Sequence, residues 1–313
     1  MTSARVSVGE RIFITGATGV VGVHAIPLLI AQGHDVTAVG RTPAARLKLE
    51  AIGASSVALD SSDELGLTRL LAGHTVVINL ATHMPSSSFQ MMLPWKWREN
   101  DRVRREGSAL LARAALVAGV RLFVQESFAP VYEDRGDMWI NESCPVRPAP
   151  YNRTVLDAER SAASFTEKGG AGIALRFAGF YGPDAMLRDM VRMVRKGWSP
   201  LPGSANAYWS SVAQEDAASA VVAALGVPPG IYNVCDDEPL TRREWVDIIA
   251  RAIGAKPPRL MPHWLSALGG KSMELMSRSQ RMSNAKLEGA SGWAPRWPSA
   301  REGLPVAIRA LTA

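Results

Sequence analysis

The sequence predicts an α/β protein: a doubly wound parallel sheet with a smaller, mostly helical C-terminal lobe that carries the substrate. Three observations lead there. The apolar run Ile12-Phe13-Ile14 passes at once into a glycine-rich turn and then into a helical pattern. Further short apolar runs follow at intervals, separated by stretches of helical periodicity, as parallel strands joined by crossover helices require. The length of 313 residues, with 47% hydrophobic and 20% charged residues, suits a globular chain with a sizeable core.

Composition also narrows the function. The net charge of +6 is spread along the chain; it suits an anionic cofactor, but no basic stripe or reading motif points to nucleic acid. Cys144 and Cys235 stand alone, without the spacing of a disulfide framework or a metal site, which suggests a reducing compartment. The first residues, MTSARVSVGER, have no apolar signal core, and no run reaches the roughly 18 apolar residues of a spanning helix. The expectation is a cytoplasmic protein with no membrane partner and a small-molecule substrate.

The glycine turn, Thr15-Gly16-Ala17-Thr18-Gly19-Val20-Val21-Gly22, places each glycine where it has a task. Gly16 makes the tight turn, Gly19 lets backbone N–H groups approach a pyrophosphate, and Gly22 lets helix and strand pack closely. With Thr18, Val20 and Val21 they form a phosphate cradle at the positive end of a helix. That helix runs from Val20 to Gln32, stops at Gly33, and should kink at Pro27. The second strand, His34 to Val39, ends at Gly40-Arg41. An acidic residue there would bind ribose hydroxyls, whereas an arginine pairs with a 2′-phosphate, so Arg41 favours NADP over NAD unless it is merely an exposed loop arginine.

A third strand, Ser56 to Leu59, ends at Asp60 and Ser61; a fourth, Thr75 to Leu80, breaks into Ala81-Thr82-His83-Met84. Ligands in such sheets lie at the carboxyl ends of strands, so His83 and Met84 point toward a substrate, His83 as acid or base or as a solvated loop residue. The segment Pro85 to Leu93, with Phe89, Met91 and Met92, is either a lid over an apolar ligand or a surface loop packed on itself. Trp97 to Val117 reads as a long helix. Its Arg98, Arg102, Arg104 and Arg105 interleave with Glu99, Asp101 and Glu106, the pattern of a solvated face. A fifth strand spans Arg121 to Gln125.

The spacing of the glycine turn resembles the short-chain dehydrogenase/reductase superfamily, in particular its extended branch, the NAD-dependent epimerase/dehydratase family. The resemblance continues through Gly172 to Pro183, with its Leu-Arg and Tyr-Gly-Pro, to the late strand Ile231 to Val234 and the C-terminal SGWAPRW. It implies that Asp60 and Ser61 lie near the adenine, that Leu80, Ala81 and Thr82 run under the cofactor, and that Phe177 and Ala178 line the nicotinamide. It implies a substrate side formed by His83, Met84, Phe128, Phe180 and Trp209. Trp209 stands where nucleotide-sugar members carry an arginine for the substrate phosphate, which argues against such a substrate. In the family the fifth strand delivers a serine or threonine four residues before the tyrosine of a Val-Tyr pair. Four before Tyr132 is Phe128, and Ser127 is one residue early.

The catalytic pattern departs further. Tyr151 opens a helix as the family tyrosine does, and Glu159 falls in place, but Val155 occupies the lysine position of YxxxK. An unperturbed tyrosine titrates near pH 10, so half-ionisation at neutral pH needs about 4 kcal/mol from its neighbours, and Val155 supplies none. Arg153 projects around the helix, and Thr154 is neutral. Tyr151 then acts as a neutral proton donor in reduction, or only contacts ribose or core. Met186, Met190, Met193, Trp198 and Trp209 mark the C-terminal lobe as apolar, as core or as pocket.

These readings converge on an NADP-dependent oxidoreductase for a small apolar carbonyl or alcohol, with Tyr151 as proton donor and Ser127 orienting the carbonyl. A redox-neutral isomerase, cyclase or dehydratase and a cofactor-sensing binding protein are the alternatives. The expected division is a cofactor domain over residues 1–176, joined by the late strands near 173–177 and 231–234, and a substrate lobe over 177–313. The resemblance implies that, if the chain forms a homodimer, it pairs through helices 98–117 and 151–168.

Overall fold

The computed structural model describes residues 9–59, 63–84, 93–149, 152–260 and 270–311. The apolar runs become strands: β1 (Arg11–Thr15), β2 (Asp35–Val39), β3 (Ser55–Val57), β4 (Val76–Asn79) and β5 (Leu122–Phe128), the last extending beyond Gln125. After the two-residue β6 (Trp139–Ile140) come β7 (Ala171–Phe177), β8 (Gly179–Tyr181), β9 (Tyr208–Trp209), β10 (Ser211–Ala213) and β11 (Gly230–Val234). A seven-stranded sheet runs β3-β2-β1-β4-β5-β7-β11, every neighbouring pair parallel. Strand order reverses between β1 and β4, and the carboxyl ends of those two strands open a crevice where ligands of such sheets bind.

Because a parallel sheet is covered on both faces, its strands read as continuous apolar runs. On one face Ile12, Ile14, Ile78, Val124 and Leu175 pack with Ala25, Ile26 and Leu29 of α1 (Gly22–Ala31) and with Ala217 and Val221 further along. Pro27 lies on the exposed side of α1, which continues to Ala31. The shorter connections α2 (Pro43–Ala51) and α3 (Glu64–Leu71) start at Thr42 and Asp63, whose side chains accept from backbone N–H groups. On the other face Phe13, Val77 and Phe123 pack with Leu67 and Leu71 of α3, with Leu111 and Ala115, and with Phe165.

The long helix expected over 97–117 is segmented. A 3₁₀ turn (Pro94–Trp97) leads into α4 (Arg98–Arg102), a π turn (Val103–Gly107) and α5 (Ser108–Val117). π turns accumulate at functional sites, and this one buries Arg104. Helix α6 (Val155–Glu167) packs beside α5 on β5 and β7.

The later helices α7 (Ala185–Arg195), α8 (Gln214–Ala223) and α9 (Arg242–Ala252) are followed by α10 (Gly270–Ser277), α11 (Ala285–Ser291) and α12 (Ala300–Ala310). Thr241 and Glu244 form a reciprocal capping box at the start of α9. A second core of Leu187, Val191, Trp245, Ile249, Leu304 and Ile308 joins α7, α9 and α12. Met190 and Trp209 pack against it, whereas Met186 and Trp198 are exposed. Among the described residues no helix is long and apolar enough to cross a membrane, and no cluster of His, Cys, Asp and Glu has the arrangement of a metal site.

Candidate cofactor and active site

Between β1 and α1 the glycine turn has the form its spacing requires. Gly16 holds φ at +68°, and a Cβ there would lie 2.3 Å from the carbonyl carbon and oxygen of Leu80. At Gly22 it would lie 2.6 Å from the carbonyl oxygens of Gly16 and Ala17. The turn closes by Gly19 N–H donating to the Gly16 carbonyl at 2.9 Å. Thr18, Gly19 and Val20 are exposed while Val21 and Gly22 are buried, and no acidic side chain sits in the first turn of α1. An exposed, side-chain-poor turn at a positive helix end fits a pyrophosphate, so the residues present fit a dinucleotide.

Beneath it lies a buried polar lattice that the sequence pattern did not disclose. Thr15 Oγ1 donates to Asn79 Oδ1 at 2.5 Å, and Asn79 Nδ2 donates to Gln125 Oε1 at 2.8 Å and to Ser108 Oγ at 3.2 Å. Asn79 Oδ1 also receives Ala81 N–H at 3.3 Å. The ends of β1, β4 and β5 are thus locked to α5, and the Leu80-Ala81 turn is fixed against Gly16. The only local signal for Asn79 is a polar residue closing an apolar strand.

Arg41 is exposed just past β2, after Gly40, which is wedged so that a Cβ would meet Arg46 Cγ at 2.6 Å. Glu99 on α4 faces the same rim: the Arg102 hydrogen bond holds its carboxyl below the usual range, with help from His83 and Arg41. His83 and Met84 are both exposed, and the His83 N–H donates to Asn100 Oδ1 at 2.9 Å. Asp60, Ser61, Tyr151 and most of the segment expected as a lid, including Phe89, Met91 and Met92, lie outside the described residues.

Strand parity decides what β5 presents. Ser127 pairs in register with Arg176 and points with it toward α6. Fully buried, it donates to Glu159 Oε1 at 2.5 Å, a placement different from one that orients a substrate carbonyl. Phe128, one residue on, is half-buried at the strand end. Arg176 clasps Glu159 with two bonds of 2.7 Å and gives a third to Tyr132 Oη at 2.8 Å; Tyr132 donates to Asn233 Oδ1 at 2.7 Å. This chain of buried groups ties α6 to β5, β7 and β11. On α6 itself Val155 is fully buried, and Thr154 Oγ1 donates to Asp101 Oδ1 at 2.7 Å.

Burial pushes the Tyr132 hydroxyl up to about 12, against the pull of the Arg176 charge. A raised folded value means stability is complete below pH 10, the tyrosine's ordinary range, and is lost as pH rises toward 12. We expect the wild type to lose about 3 kcal/mol more than Tyr132→Phe across that window, measured by urea unfolding at stepped pH.

Arg104 corrects the sequence reading of a solvated arginine face. Arg102 and Arg105 are exposed, but Arg104 is only 1% exposed and its Nη2 donates to Glu126 Oε1 at 2.7 Å. The π turn carries it inward, where the alternation of charge along the sequence could not indicate it. On the far side, Phe177 and Ala178 are buried, Phe177 packing on Phe180 with ring centroids 5.4 Å apart. Phe180 and Trp209 stay half-buried, and Trp209 lies so close to Gly179 that a Cβ there would sit 2.6 Å from its ring. The strand ends therefore present aromatic surface, and the buried Arg242 guanidinium lies over the Trp209 ring, 5.8 Å from its centroid.

Comparison with known proteins agrees with this fold. The model of the NAD dependent epimerase/dehydratase family matches residues 12–235. A Streptomyces sp protein, 3-diazoavenalumate denitrifying reductase, is 31% identical over 311 residues, covering 94% of this chain and 99% of that protein. Among solved structures, MoeE5 in complex with UDP-glucuronic acid and NAD is 25% identical with a TM-score of 0.76, covering 96% of this chain and 99% of that one. The Thermus thermophilus UDP-glucose 4-epimerase complex with NAD is 24% identical with a TM-score of 0.77, covering 97% of this chain and 99% of that one.

Proposed function

This chain belongs to the NAD dependent epimerase/dehydratase family, and we propose that within it the chain is an NADP-dependent reductase of a small, apolar, aromatic or conjugated acceptor. The observation that carries the reading is Val155: fully buried, it stands four positions after Tyr151 in the sequence, where the family pattern has its lysine, and supplies no cation there. A neutral phenol can give a proton and takes one poorly, so a tyrosine with no lysine in the pattern is suited to reduction over alcohol oxidation, which needs a base. Bound in the glycine turn, the reduced dinucleotide would supply the hydride. This chain's residues would hold its pyrophosphate (Gly16, Thr18, Gly19), meet its 2′-phosphate (Arg41) and enclose the acceptor with Phe128, Phe180, Trp209, Met84 and His83, Tyr151 giving the proton.

Arg41 is the support for NADP over NAD. In calorimetric titrations Arg41→Ala should weaken NADPH binding about tenfold or more and leave NADH binding within about twofold.

A second reading draws on the Streptomyces reductase, named for the denitrification of a diazo-bearing carboxylate. Hydride added to an arenediazonium carbon expels dinitrogen and leaves a carbon–hydrogen bond, with no proton required. That suits a site with Val155 in place of the lysine and Phe128 at the hydroxyl position. Tyr151→Phe separates the two: turnover of carbonyl acceptors should fall about 100-fold or more, whereas turnover of diazonium acceptors should be nearly unchanged. Product formation without loss of NADPH absorbance would favour redox-neutral chemistry instead.

A further inference from the structure

The Arg104–Glu126 pair sits where the fold has no evident need of buried charge, and strand register fixes its position. Glu126 lies beside Leu175 and therefore points to the sheet face that carries Leu122, Val124 and Leu175. Arg104 comes from the opposite side. One turn beyond it Ser108 meets Asn79, and flanking Asp101 and Arg105 bond Thr154 and Asp157 of the α6 segment. A guanidinium rising from one face to reach a carboxylate of the other must pass over the carboxyl ends of β4 and β5. The pair thus spans the edge of the sheet next to β1 and its glycine turn. A dinucleotide held by its pyrophosphate at that turn, with its adenosine toward β2 and Arg41, extends its nicotinamide half over β4 and β5.

Hydrogen bonding at the pair is incomplete. Arg104 Nε, Glu126 Oε2 and Asn100 Nδ2, one helical turn before Arg104, are buried without a partner. Unmet buried polar atoms are uncommon in native proteins and mark places where a ligand or water completes the set. The Arg104 side chain is 1% exposed and that of Glu126 11%, so Glu126 is the less buried member of the pair, with its Oε2 still free of any partner. A carboxylate next to a nicotinamide is matched to the N–H donors of its carboxamide.

We propose that Glu126 binds the carboxamide of the nicotinamide ring, and that Arg104 is a positioning residue that fixes the carboxylate across the sheet edge. This rests on the dinucleotide reading above. The subsite sets the face and angle at which the ring is held, a role for which a rigid buried pair is better suited than a mobile surface side chain.

The test is calorimetric and needs no substrate. Wild type and Arg104→Met/Glu126→Met, which removes both charges at similar volume, are titrated with three ligands. These are NADP⁺, its acetylpyridine analogue with a methyl group in place of the amide nitrogen, and 2′-phospho-ADP-ribose, which lacks nicotinamide. Wild type should prefer NADP⁺ over the analogue about tenfold or more. The double variant should lose that preference yet bind 2′-phospho-ADP-ribose within about twofold of wild type. A preference that survives in the double variant, or equal weakening of all three ligands, overturns the proposal. Should the variant not fold, the wild-type ratio decides alone, and the absence of preference overturns it. Wild type that binds none of the three removes the dinucleotide reading itself, a distinct result.

Discussion

Gly16→Val should abolish dinucleotide binding and destabilise the protein together. Gly16 has φ of +68°, a region that a β-branched residue occupies at a cost of about 1–3 kcal/mol. Its side chain would also enter the Leu80 carbonyl, since even a Cβ lies 2.3 Å from it. Leu80 is held by its N–H to the Thr15 carbonyl at 3.2 Å and by the Asn79 lattice below, so it cannot give way alone. The turn must open instead, and the N–H groups that would meet a pyrophosphate lose their alignment. Calorimetry with NADPH should show at least about a 100-fold loss of affinity, and thermal unfolding a lower Tm. Unchanged binding would mean that the nucleotide is held elsewhere.

Arg176→Met is expected to have the largest effect on stability, about 3–5 kcal/mol in urea unfolding. Arg176 and Glu159 have side chains 4% and 8% exposed, and the guanidinium serves Glu159 twice and Tyr132 once. Removing it strands a carboxylate in a low-dielectric interior, a far greater loss than an exposed pair such as Arg102–Glu99 would incur. Replacing both partners, as in Arg176→Met/Glu159→Met, should recover part of the loss, because no unpaired charge is left. A small effect of the single variant would show that α6 is held by its apolar contacts alone.

What was legible in the sequence was local. The glycine turn could be read because φ at Gly16 and the close approach at Gly22 are set within a few residues of the motif, whereas the approach of Gly16 to Leu80 was not legible. The strands could be read because burial on both faces leaves uninterrupted apolar runs. The β5 end was only half legible: counting back from Tyr132 left either Ser127, one residue early, or the Phe128 ring at the hydroxyl position, while the strand parity that turns Ser127 toward Glu159 depends on where the strand stops, and it continues to Phe128. Arg104 was misread for a similar reason. Its neighbours alternate in charge as a solvated helix does, but a π turn rotates this residue inward to a partner on another element. Asn79 and Asn233 gave no motif, and Arg176 was visible only as the arginine of the Leu-Arg pair, since their partners are brought together only by sheet order.

The most direct measurement is deuterium transfer from NADPH labelled at its hydride position, with purified protein and a panel of apolar aromatic carbonyl and diazonium acceptors. A reductase places the label on a carbon of the product, and one NADPH is consumed for each product formed. Product that forms with the label retained on the nicotinamide and no net NADPH oxidation would contradict reduction and make this a redox-neutral member of its family.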